Sequence, residues 1–157
     1  WVVFTDPQVA GAGLDEVQAE QQNIPFEVSK IELKDVPRAI AANDTRGFIK
    51  LIRNTETDKL IGARIVAPEG GELIQQLSMA IKYGITVKDL AESFYPYLTL
   101  GEGIKLAAIT FGKDVSKLSC CASSYLVIKR VCLYKLSNIK IAQIIFPQSG
   151  RTGFRFR

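Results

Sequence analysis

The apolar positions of this chain change their period part-way along it. Up to Ala67 they come in short runs rich in Ile, Val and Leu, and after Pro68 they recur at helical spacing. Arg46 to Arg53 and Lys59 to Ala67 are two such runs, and Asn54 to Asp58 between them supplies turn residues, so together they predict an antiparallel hairpin. Phe26 to Leu33 alternates enough to be a strand, and Trp1 to Phe4 is a shorter one. Asp6, Pro7, Gly11 and Gly13 punctuate a connection, after which Leu14 to Gln22 predicts a polar helix carrying Leu14, Val17 and Ala19.

Helices follow. Leu73, Ile74, Leu77 and Ile81 fall on one helical face, with Gly84 where a helix C-cap belongs. Thr86 begins a second helix, with Asp89 three residues on and Leu90 and Phe94 as its apolar side. Thr99 and Glu102 stand at capping-box spacing ahead of Ile104, Leu106, Ala107 and Phe111, with Gly112 after them. Strands first and helices afterwards predict an α+β domain, an antiparallel sheet with helices packed on it.

Composition narrows the class. The chain has 157 residues of which 47% are apolar, enough for one domain with a core. No segment reaches the roughly 18 uninterrupted apolar residues of a membrane helix, so no membrane partner is expected. Of the 20 Lys and Arg and 16 Asp and Glu, seven basic residues and no acidic one follow Ala122, so residues 1–122 carry −3 and residues 123–157 carry +7. A basic tail is one signature of a nucleic-acid arm. This one is rich in Ile, Leu, Val and aromatic residues and holds no recognised motif, so no nucleic-acid partner is expected. The expected organisation is therefore a domain over 1–122 and an unmatched basic tail over 123–157, the tail arising from a shifted frame or junction. Opening at Trp1 inside an apolar run, the chain reads as a piece of a longer polypeptide.

Three cysteines, two adjacent, fit neither a secreted disulfide framework nor a spaced zinc site, and a reducing cytoplasm is the predicted setting. Adjacent Cα atoms are about 3.8 Å apart, closer than relaxed disulfides prefer. Cys120 and Cys121 on one segment suit a soft cation, which thiolate sulfur prefers over harder ligands; two incidental cysteines are the plain alternative. Gly11-Ala12-Gly13 lacks the spacing of a dinucleotide-binding loop and is read as a turn, with no cofactor-binding residues. Phe94 to Glu102 is the other candidate segment, with helix capping and core aromatics as its plain reading.

Several segments resemble one known family. Val2 to Ala10 is similar to the entry into the interface domain of the pyridine-nucleotide disulfide oxidoreductases. Val36-Pro37-Arg38-Ala39, Asp44 to Leu51, Ala67-Pro68-Glu69, Gly71 to Ile74, Pro96 to Thr99 and Leu118 to Ala122 resemble, in order and spacing, the mercuric reductases within it. In the glutathione reductases and lipoamide dehydrogenases the corresponding segment reads His-Pro-Thr-x-x-Glu, its histidine exchanging protons with a thiol of the partner subunit. This chain has Tyr97, Leu98, Thr99 and Glu102 there, and no histidine at all. An imidazole near pKa 6.5 exchanges protons at neutral pH and a phenol near 10 does not. An inorganic cation passed between thiolates needs no such exchange, so the substitution argues for mercuric ion over a dithiol substrate.

The resemblance implies a homodimer whose complete enzyme reduces Hg(II) with NADPH through FAD, on portions other than this one. It implies metal ligands Cys120 and Cys121, which collect the ion for the partner subunit, and a catalytic-site residue Tyr97; Glu102 is a structural support. This piece alone is expected to be inactive. The chain departs from the family in Gly11-Ala12, where Thr-Val is usual, and in its 35 residues after Ala122. Two other readings stay open: the interface domain of another disulfide reductase, and a stand-alone metal-binding module.

Overall fold

The computed structural model of the chain describes residues 1–112. Its centre is the hairpin of β4 (Phe48–Asn54) and β5 (Leu60–Ala67), where the sequence places it. β3 (Phe26–Glu32) pairs with β4 on one side; β2 (Gln8–Gly13) pairs with β5 on the other, and β1 (Val2–Val3) completes an antiparallel sheet in the order β1-β2-β5-β4-β3. The register sets Ala10 against Ile65, Ile65 against Ile49 and Ile49 against Ile31, so these four share one face, and all are buried. Lys30, Lys50 and Arg64 are aligned on the other face. This strand alternation of apolar and polar positions is what makes one side of the sheet a core.

β2 corrects an expectation. The stretch from Asp6 to Gly13, read as a connection whose Gly11-Ala12-Gly13 was a turn, contains a six-residue strand hydrogen-bonded between two others. Its glycines are there for space. A Cβ on Gly11 would lie 2.5 Å from Trp1 Cζ2 of the indole packed on the strand, and one on Gly13 would lie 2.2 Å from the Ile61 carbonyl oxygen, at φ 64°. Close approach selects glycine in a strand whose composition then hides it. The Arg64 guanidinium lies over the same indole, 5.9 Å from its centroid.

Helix α1 (Glu16–Gln21) begins two residues later than predicted, because Asp15 is its N-cap and exchanges hydrogen bonds with Gln18 in a capping box. Leu14 therefore precedes the helix, and Val17 is exposed while Ala19 is buried. Glu16 bonds Lys50 at 2.6 Å, which ties α1 to the polar face of the sheet and holds the Glu16 carboxyl below its ordinary pKa. A short helix not anticipated, α2 (Pro37–Ala42), starts on Pro37 and stops at Asn43 in the left-handed region, φ 56°.

Helix α3 (Gly70–Lys82) buries Leu73, Ile74, Leu77 and Ala80 against β2 and β5. Leu73, Ile74 and Leu77 each contribute about 1.5–3 kcal/mol by leaving water. Gly84 at φ 64° reverses the chain, as its position after the periodic run predicts. Helix α4 (Val87–Glu92) has the expected Thr86–Asp89 capping box, whose hydroxyl bond holds the Asp89 carboxyl below its ordinary pKa. It ends at Glu92, so Phe94 is not on its apolar side as predicted but 90% exposed beyond its end.

Helix α5 (Glu102–Ile109) covers β3 and β4 with Ile104 and Ala107. Under it Ser29 is the one buried polar residue among those described, and its hydroxyl donates to the Ala107 carbonyl at 2.7 Å. Thr110 donates to the same carbonyl at 2.9 Å. Ser29→Ala therefore leaves no orphaned acceptor and is expected to cost only about 1 kcal/mol in urea unfolding.

Candidate functional site

The loop between α4 and α5 carries Tyr97. Its first aromatic ring, Phe94, is outside the core; Tyr95 packs half-buried against it, and burial pushes its phenol pKa up. The chain then turns at Pro96-Tyr97-Leu98-Thr99, and Tyr97 is 63% exposed. Three hydrogen bonds hold the turn. The Thr99 hydroxyl donates to the Pro96 carbonyl at 2.9 Å and accepts from the Glu102 amide at 3.3 Å, while the Glu102 carboxylate accepts from the Leu98 amide at 3.3 Å.

The predicted capping box is thus displaced. Gly101 is the N-cap of α5 without a side-chain bond, and Glu102 reaches Leu98 rather than Thr99. Leu98 has φ 65°, a left-handed conformation that costs an L-residue with a side chain about 1–2 kcal/mol. Sequence reasoning placed Thr99 and Glu102 ahead of a helix but missed Leu98, since leucine gives no local signal for that conformation.

Two open clefts flank the turn. One, of 470 Å³, is lined by Arg38, Ala39, Asp44, Glu69 and Leu98 among others; the second, of 520 Å³, includes Glu72, Gln76, Phe94 and Tyr95. Beside the first, Arg46 binds Asp44 at 2.8 Å and Asp6 at 3.0 Å. The Arg46 hydrogen bond brings the Asp44 carboxyl down to about 2, from an ordinary 3.8. A depressed folded pKa stabilises above the unfolded value, and that contribution is lost as pH falls from about 4 towards 2. Asp44→Asn is therefore expected to flatten the acid limb of the unfolding midpoint against pH in that window, leaving pH 6 to 8 unchanged in slope.

No described residues fit a dinucleotide. All strands pair antiparallel, and the Gly11-Ala12-Gly13 backbone is engaged in a sheet, whereas a pyrophosphate needs glycines in a turn between a strand and a helix. Among the described residues no group of three or more His, Cys, Asp or Glu could hold a metal ion, and no helix is long and apolar enough to cross a membrane. Cys120, Cys121 and the tail over 123–157 lie outside the described residues.

Comparison with known proteins decides the family. The dimerisation domain of the pyridine nucleotide-disulphide oxidoreductases matches residues 1–108. The chain belongs to that family. The fold class expected from the sequence is the one observed, and a mercuric reductase of Shewanella putrefaciens is 54% identical over 121 residues, 77% of this chain and 22% of its own length. Those of Shigella flexneri and Staphylococcus aureus are 54% and 50% identical with the same coverage. The chain thus spans about a fifth of the length of these relatives. A match of 121 residues also extends past Ala108, where the family domain ends.

Solved structures agree on the architecture. LpdA of Mycobacterium tuberculosis matches with a TM-score of 0.67 and 29% identity, over 71% of this chain and 24% of that one. The HOCl-induced flavoprotein disulfide reductase RclA of Escherichia coli, in a Cu(II) complex, matches with a TM-score of 0.68 and 25% identity, over 72% and 25%.

Proposed function

We propose that this chain is the dimerisation part of a cytoplasmic mercuric reductase, which reduces Hg(II) to Hg(0) with NADPH through FAD. The observation that carries the reading is the identity of about half the residues over 121 positions with mercuric reductases. The turn supports it, because it presents a phenol, Tyr97, in a chain without histidine. A thiol or disulfide substrate needs a proton acceptor working near neutral pH, and no imidazole is present to be one.

The roles of this chain's own residues follow from their chemistry. Cys120 and Cys121 bind the incoming ion as thiolates, release their protons, and pass it to thiols of the partner subunit. Tyr97 lines the receiving site and offers the ion a hydrogen-bonding or weakly ligating oxygen. Pairing two copies has a surface available to it: Met79 on α3 and Tyr83 at its C-cap are 50% and 67% exposed, and Phe94 and Tyr97 are exposed on the loop after α4. FAD and NADPH would be held by portions of the enzyme other than the described residues.

The test is made on the purified polypeptide that carries this segment in its source. It is expected to be a flavoprotein dimer that oxidises NADPH only when Hg(II) is added, releasing mercury vapour in equal amount. Oxidation of NADPH supported instead by glutathione disulfide or lipoamide would overturn the reading in favour of another disulfide reductase.

A further inference from the structure

We propose that Leu98 and Glu102 act together as positioning residues for Tyr97, Glu102 holding Leu98 in its left-handed conformation so that the phenol stays outward. The functional part of this rests on Tyr97 belonging to the mercury site. Among the described residues four without a glycine backbone have positive φ: Asn23, Asn43, Asp58 and Leu98. The first three are of the types that tolerate the conformation, through short polar side chains. Leu98 is not, so its surroundings impose it. Backbone outliers of this kind persist only where several contacts over-determine them, and they concentrate at functional sites.

The contacts are the ones already described. Glu102 fixes the Leu98 amide from the first turn of α5, where a carboxylate also faces the positive end of the helix dipole. Thr99 ties the preceding Pro96 carbonyl to the same helix start. The Leu98 side chain lines the cleft with Ala39 and Ala42, which explains why a glycine, free of the backbone cost, does not serve there. Leucine inward and tyrosine outward are therefore one arrangement. Rotating Leu98 to an ordinary φ would re-aim the peptide that joins it to Tyr97 and move the phenol with it.

The test uses the full chain labelled with fluorotyrosine, the Tyr97 resonance being assigned by its loss in Tyr97→Phe. Glu102→Ala is expected to move that resonance by more than its linewidth, towards its position in the urea-unfolded chain. Glu102→Gln keeps an acceptor oxygen at the same reach and is expected to leave it in place. Leu98→Gly, which removes both the imposed strain and the cleft packing, is expected to move it as well. Tyr95, packed on the core, stays unchanged in all three.

A Tyr97 resonance unmoved in Glu102→Ala, a Glu102→Gln variant that behaves like Glu102→Ala, or Tyr95 moving as far as Tyr97 would each overturn the proposal. Binding of Hg(II) by the unsubstituted chain is measured alongside. Its failure would sink the mercury reading alone, since the resonance shifts do not depend on it.

Discussion

A Cys120→Ser, Cys121→Ser double variant of the full chain is expected to lose tight Hg(II) binding, and either single variant to bind on the order of 10²–10⁴-fold more weakly. A thiol near pKa 8.5 is only a few per cent ionised at neutral pH, but a soft metal drives its deprotonation, so each sulfur that binds should release close to one proton. Adjacent residues present both sulfurs together, which spares the entropy of gathering two separate thiols. Cys132→Ser is expected to change little, because Cys132 lies outside the segments that resemble mercuric reductases. The measurement is a titration with Hg(II) against a competing small thiol, with proton uptake by a weak buffer read in parallel. If the double variant bound one ion per chain with the affinity of the parent, the two cysteines would not be the site.

Gly62→Ala is expected to cost about 3 kcal/mol or more, the upper range for forced overpacking. Gly62 pairs with Ile52 across the centre of the sheet, beside a break in register between Ile52 and Arg53. A Cβ there would sit 1.9 Å from the Leu14 carbonyl oxygen. Leu14 cannot step aside cheaply, since its amide donates to the Ile61 carbonyl at 2.9 Å where the link from β2 to α1 crosses β5. Gly112→Ala is the matched control, having no atom within 4 Å of the added carbon. Equal urea midpoints for the two variants would refute this account of the crossing.

What the sequence made legible were the elements with strong periodicity and their own punctuation. The β4–β5 hairpin announces itself through Ile, Val and Leu on both sides of Asn54 to Asp58; α3 does so through Leu73, Ile74 and Leu77, and α4 through Thr86 and Asp89. β2 and α2 were hidden for opposite reasons. In β2 the need for space under Trp1 and Ile61 put Gly11 and Gly13 where β-formers would have marked a strand. In α2 six residues are too few to show a period, and the helix is defined by its ends, Pro37 and Asn43. At the candidate site, the resemblance and the lack of histidine are what single out Tyr97 for the role proposed above. The bond from Glu102 to Leu98 was not legible, because it depends on a backbone angle that leucine does not advertise.

The strand order has a consequence for how the chain is made. β2 is synthesised before β3, β4 and β5, but apart from the two-residue β1 its neighbour is β5, with Gly13 opposite Gly62 and Gln8 opposite Ala67. At the usual 5–20 residues per second of synthesis, a wait of about 50 residues lasts roughly 3 to 10 s. Throughout it, Trp1, Val3, Phe4 and an unpaired strand edge leave the ribosome ahead of anything that can complete their sheet. β3, β4 and β5, in contrast, close on one another as neighbours in sequence. Nascent chains stalled before Leu60 are therefore expected to be the form that chaperones and aggregation compete for, and the hairpin's arrival is the event that ends the contest.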